Sequence, residues 1–252
     1  MHRLDRYFVT VLLLVLVAPS AAIAQGLSSP KDIFRANLEA TGGESAWDAV
    51  HTMHTSGEMV MALDMGTMSM NNDTWIIRPD HLLTKISVIE APEGVPAGDN
   101  TIYITPDGGW IDGMQGRQNI NDLPPNVRSS FDAGMYGKEE LALLERADED
   151  FTLLDPRDVE GSMAYVVEVK GDVTTRRFYD QESLLLVATE TPSPMGGMAM
   201  TYPGDYQETS GLLIPRSTES DIGMGTMTMT VKAVEINNPD LTPAKLAEMA
   251  GN

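Results

Sequence analysis

MHTSGEMVMALDMGTMSM, residues Met53 to Met70, is the stretch that decides the fold. Methionine stands at 53, 59, 61, 65, 68 and 70, and a spacing of two recurs in Met59/Met61 and Met68/Met70. Residues 53, 55, 57, 59, 61 and 63 form one series, with the more polar His54, Ser56 and Glu58 between them. A period of two places alternate side chains on opposite faces of a strand, whereas a helical stripe would follow 3.6. The pattern returns at Met198/Met200 and at Met227/Met229/Val231. Several antiparallel strands are therefore expected to present a methionine-rich face. A thioether side chain is unbranched and polarizable, and it repacks around guests of varied shape. Two readings follow. Either these methionines fill gaps in a core, or Met59, Met61, Met68, Met70, Met198, Met200, Met227 and Met229 line a concave sheet face that holds a greasy ligand.

Working outward, Ser29-Pro30-Lys31-Asp32 has the form of an N-cap, a proline at N1 and an acid in the first turn. The helix it starts is expected to bury Ile33, Phe34, Asn37 and Leu38 and to end at Gly42-Gly43. A short helical turn carrying Trp47 follows over Glu44 to Val50. After the methionine strand, further strands are expected at 67–77 and 81–90, on either side of a turn at Arg78-Pro79-Asp80. Residues 91–100 form a loop rich in proline and glycine, and Pro106-Asp107-Gly108-Gly109 marks a hairpin. Trp75 and Trp110 fall in strands, as core residues or as the rim of the apolar site.

Residues 122–150 change character. Val127, Phe131 and Met135, then Leu141, Leu143 and Leu144, have helical spacing, suited either to a lid over the sheet or to plain core cover. Alternation then resumes at Met163/Tyr165/Val167/Val169. Strands are expected near 174–179, 184–190, 198–206, 212–219 and 226–236, and a last helix near 240–249 is capped by Thr242. The fold class is mainly β with some helix (α+β): a curved antiparallel meander forming an incomplete β-barrel, with helices covering its concave face, in a single domain over 25–252.

Arg3 and Arg6, the apolar run Phe8 to Val17 and the A-x-A of Ala22-Ile23-Ala24 read as a Sec-type signal peptide over 1–24, with a retained anchor as the alternative. The expected location is periplasmic. No later stretch reaches the ~18 apolar residues of a membrane-spanning helix, so an integral membrane protein is not expected. The formal charge of −20 becomes one unit more negative when Arg3, Asp5 and Arg6 leave with the leader. An acidic chain with no basic cluster is poorly suited to nucleic acid or anionic lipid surfaces.

Catalytic templates are missing from the sequence. Without cysteine, thiol nucleophiles and cysteine-ligated zinc are excluded, and there is no G-x-S-x-G, Walker A or H-E-x-x-H sequence. His51 and His54, three apart, would fall on opposite faces of a strand. Asp155, Asp158 and Glu160 offer a loop that could hold calcium, or merely reflect the abundance of acids. No enzyme, cofactor or metal site is expected.

Four segments resemble the bacterial outer-membrane lipoprotein-sorting proteins. They are ANLEATGGESAWDAVHTMHTSGEM (36–59), YITPDGGWI (103–111), RRFYDQESLLLVATE (176–190) and YPGDYQETSGLLIPRSTES (202–220). The chain departs from that pattern in carrying leucine where the family often has proline after its Y-x-D turn. The resemblance, to LolA/LolB-like lipoprotein carriers, implies a half-barrel plugged by helices. It also implies a cargo of lipoprotein acyl chains or other lipid, with envelope membrane proteins as further partners. A sensor or scaffold on the same fold, without transport, is the alternative.

Overall fold

A computed structural model describes residues 26–251 except 65, 124–137, 172, 193–196, 222 and 224. The leader and the expected stripe Val127, Phe131 and Met135 lie outside the described residues. The helices are α1 (Pro30–Ala40), α2 (Glu44–Asp48), α3 (Glu139–Glu145) and α4 (Pro243–Ala250). The strands are β1 (Thr52–Leu63), β2 (Gly66–Ile77), β3 (His81–Glu90), β4 (Asn100–Thr105), β5 (Gly108–Gly113), β6 (Gly116–Asn119), β7 (Phe151–Val159), β8 (Ser162–Val169), β9 (Thr175–Asp180), β10 (Leu186–Pro192), β11 (Met198–Thr209), β12 (Leu212–Asp221) and β13 (Gly225–Ile236).

They form one 13-stranded sheet in the order β6-β5-β4-β3-β2-β1-β13-β12-β11-β10-β9-β8-β7. The first meander runs outward from β1 to the β6 edge. The second starts at the other edge with β7 and returns to lay β13 against β1, antiparallel. The two edges do not pair, so the sheet is not closed into a barrel.

The capping signals act as their chemistry dictates. The Asp32 N–H donates to Ser29 Oγ (3.2 Å), and the Lys245 N–H donates to Thr242 Oγ1 (3.2 Å). The Thr41-Gly42-Gly43 end of α1 docks on the turn between β11 and β12, where the Leu213 N–H donates to the Thr41 carbonyl at 2.9 Å. Gly42 is required there: its φ is +125°, and a Cβ would lie 2.6 Å from the Gly211 carbonyl oxygen. Trp47 completes the corner by donating from Nε1 to Thr41.

Helix α1 also sets the curvature. Its Leu38 belongs to a core with Met53, Ile76, Leu82, Ile104 and Leu212, while Ile33 and Phe34 belong to one with Phe151, Val167, Val169 and Tyr179. These clusters draw on strands from β4 to β7, which would span about 48 Å in a flat sheet at ~4.8 Å per strand. An eleven-residue helix is only about 16 Å long. The sheet must therefore curl around α1, and the face bearing α1, α2 and α3 is concave.

One expectation needs correction. The helices do not all cover the concave face: α4 packs on the opposite face, where Leu241, Leu246 and Ala250 meet Leu83 and Tyr103. Asp155 and Asp158, the alternative calcium loop, lie in strand β7. Among the described residues no group of three or more His, Cys, Asp or Glu is placed to hold a metal ion.

Candidate functional site

The register brings six of the methionines together. Met59 on β1 lies opposite Met70 of β2 and Met229 of β13, and Met61 lies opposite Met68 and Met227. Two rows of three thioethers thus cross β2-β1-β13, on the concave side that Met53 and Ile76 share with α1. Met68 and Met70 are buried and the other four are half-buried. Gly57 sits between Met53 and Met59 on this face, beside a bulge in β13. Its missing Cβ would lie 2.2 Å from the Thr230 carbonyl oxygen, so only glycine lets β13 approach so closely.

The methionine rows open into a groove of about 440 Å³, inside the ~300–1,000 Å³ typical of small-molecule sites. Met61, Met68, Met70, Val88 and Ile111 supply its apolar floor. Met70 pairs with Val88, and Ile111, paired with Ile102 of β4, faces the same side from a neighbouring row. Pro96, Ala97 and Gly98, from the loop read as irregular, form one wall, and Met114 to Gly116 form the other. Asn100 and Gln118 add amides at the rim. Met114, 59% exposed, was not foreseen because it lies in a turn, outside any alternating series.

Four expected lining residues fall elsewhere. Trp75 and Trp110 face outward beneath α4, packed with Leu83 and Tyr103. His54 stacks on Trp75 at 4.7 Å and Arg117 covers Trp110 at 3.7 Å. Met198 and Met200 are also on the outer face. Thr201 pairs with Ser220, and Ser220 pairs with Met227, so it is Thr201 that faces inward. Met200 accordingly packs against Val166, Phe178 and Ala188.

Beyond the methionines the concave face becomes ionic. Arg177 on β9 is buried and donates from Nη2 to Glu140 Oε1 (2.6 Å), from Nε to Tyr179 Oη (2.8 Å) and from Nη1 to Glu139. Tyr179 Oη donates to Glu140 at 2.9 Å, and Lys138 pairs with Glu140 at 3.0 Å. Lys138 also donates to Asn37 of α1, whose Nδ2 donates to the Leu184 carbonyl. Burial alone would push the Glu140 carboxyl up, but the Lys138 and Arg177 charges outweigh it and hold the group well below the usual carboxylate range. Burial pushes the Tyr179 phenol up. This network clamps α3 to both α1 and the sheet. Sequence spacing gave no sign of it, because its members come from three separate elements.

No protein-family model matches the chain, and no curated protein sequence does. Solved structures do. A domain named for outer membrane lipoprotein sorting, from Vibrio parahaemolyticus, superposes with a TM-score of 0.55 at 13% identity, covering 87% of this chain and 96% of that one. A LolA superfamily protein from Nitrosomonas europaea gives 0.54 at 11% identity, covering 86% and 96%. The fold is that of the LolA-like lipoprotein-sorting proteins. A DUF1329 family protein from Desulfovibrio piger superposes on this chain with a TM-score of 0.57 at 10% identity, covering 88% and 99%. No helix among the described residues is long and apolar enough to cross a membrane.

Proposed function

We propose that this chain is a periplasmic carrier of hydrophobic ligands that holds lipoprotein acyl chains during sorting to the outer membrane. The observation that carries this reading is the pair of methionine rows opening into the groove on the concave face. The LolA-like fold and the leader-type sequence at residues 1–24 support it.

Burying an acyl chain contributes about 0.8 kcal/mol per methylene, so ~16 carbons supply on the order of 10 kcal/mol before ordering costs. A shuttle must also let go. Flexible thioethers that close on one another when the groove empties offset part of that gain, as a rigid pocket would not.

Native mass spectrometry of protein purified without detergent tests the proposal. Copurifying acyl lipid is the expected result. A protein that neither retains lipid nor takes up an added acylated peptide would contradict it, and recovery with an envelope protein but no lipid would favour a sensor.

A further inference from the structure

Asn72 is the one polar side chain on the inner face of β2 that is buried next to the methionines. It follows Met68 and Met70 in the inward-facing series, opposite Gly57 of β1 and Ile86 of β3. It is 6% exposed, and among the described residues its Oδ1 is buried without any hydrogen-bond partner. Among those residues its Nδ2 donates to the Met229 thioether alone, at 3.6 Å. A thioether accepts and cannot donate, so the nitrogen is the end that faces sulfur and the carbonyl oxygen is the end left over. Met229 reaches from β13 across β1 to β2 because Gly57, lying between, carries no side chain to block it.

An unpaired buried acceptor destabilises a fold, and such groups in native proteins call for an explanation. Val or Leu would complete the apolar face at no such cost. Met70, the neighbour of Asn72 on this face, floors the groove, and the Met229 thioether that Asn72 touches is half-buried on an unbranched, adaptable side chain. A chain lying on the methionines would reach Asn72 by pushing that thioether aside.

The geometry points to Asn72 as the selectivity residue of the groove, accepting a hydrogen bond from an N–H or O–H near the polar end of a long-chain ligand. This inference rests on the carrier reading and narrows it. The ligand class is N-acyl amides or hydroxyacyl chains rather than plain esters, which have no donor for Asn72 Oδ1.

The test uses the full chain and three probes: N-methyldodecanamide, methyl dodecanoate and methyl beta-hydroxydodecanoate. The first two differ by one N–H for one oxygen. Each is titrated against wild type and Asn72→Leu by displacement of a fluorescent fatty acid. The preference for a donor-bearing probe over methyl dodecanoate should be about three- to tenfold larger in wild type than in Asn72→Leu. A gain for the amide alone assigns N-acyl chains, and one for the hydroxyester alone assigns hydroxyacyl chains.

Equal preferences in the two proteins would overturn the role of Asn72 while leaving the carrier reading intact, since the esters still bind. Failure of wild type to bind any probe would overturn the carrier reading itself. If Asn72→Leu does not fold, wild type decides alone. The donor-bearing probe should then shift the Asn72 side-chain amide resonances more than methyl dodecanoate does, and equal shifts would refute the assignment.

Discussion

Across the concave face, one register row changes chemistry strand by strand. It runs Met68, Met61 and Met227, then Ser220, Thr201 and Thr189, and reaches Arg177 before the apolar Val167 and Leu153 of the far edge. At the methionine end the side chains are unbranched thioethers set opposite one another, and a groove stands open. At the Arg177 end every charge is matched, and α3 is held by Glu139 and Glu140. The same sheet thus has a soft end able to exchange one apolar partner for another, and a fixed end that is not. Dispersion and thioether packing have no preferred direction, so guests can replace them. A buried ion pair is directional, and removing one partner strands the other.

Breaking the fixed end should have the largest effect. Glu140→Gln leaves Arg177 and Lys138 under-compensated, at a cost of about 3–5 kcal/mol. For a chain of this size that corresponds to a melting temperature lower by roughly 6–20 °C, measured by circular dichroism. A change under about 3 °C would show that the network is not a clamp. The pH dependence follows from the sign of the shift. The Glu140 carboxyl is depressed in the fold, so the unfolded chain takes up its proton first as pH falls. Its stabilisation is complete above about pH 4.3 and drains away below that. The gap between wild type and Glu140→Gln should therefore narrow between about pH 6 and about pH 3.

The soft end should lose ligand rather than stability. Met61→Glu with Met229→Glu sets charge on half-buried positions, and binding of a fluorescent fatty acid should weaken by about a hundredfold or more. The circular dichroism spectrum should be unchanged. Met198→Glu, at a 48% exposed position on the outer face, should bind as wild type does. Equal losses in both would erase the distinction between faces; outright unfolding of the double variant would mean the methionines pack as permanent core.

The smallest effect is that of the surface charge. With a formal charge of −20, self-repulsion should relax as salt screens it, raising the melting temperature by a few degrees from ~10 mM to ~1 M sodium chloride. Buried pairs are screened much less, so the Glu140→Gln deficit should persist across that range.

Local pattern made much of this architecture legible. The β3 span 81–90, the caps at Ser29 and Thr242 and the β1 alternation all follow from short-range chemistry. Strand β6, Gly-Arg-Gln-Asn, is exposed throughout and has no apolar alternation to betray it. Strand β7 carries Pro156 and a register shift between Leu154 and Arg157, which masks its period. Alternation also shows that two methionines share a side without showing which side. That choice belongs to pairings between distant residues, and the Thr201–Ser220 pairing turned Met198 and Met200 outward. Trp75 and Trp110 went outward for the same reason, where α4 covers them.

On the carrier reading, an acyl chain lies on the methionine end of the concave face. A photoactivatable fatty acid, crosslinked to the full chain and mapped by peptide mass spectrometry, tests it most directly. Crosslinks should concentrate on β1, β2, β13 and the groove wall around Met114, and should be competed by excess unlabelled fatty acid. Crosslinks confined to Met198, Met200 and the α4 face, or insensitive to competition, would contradict it.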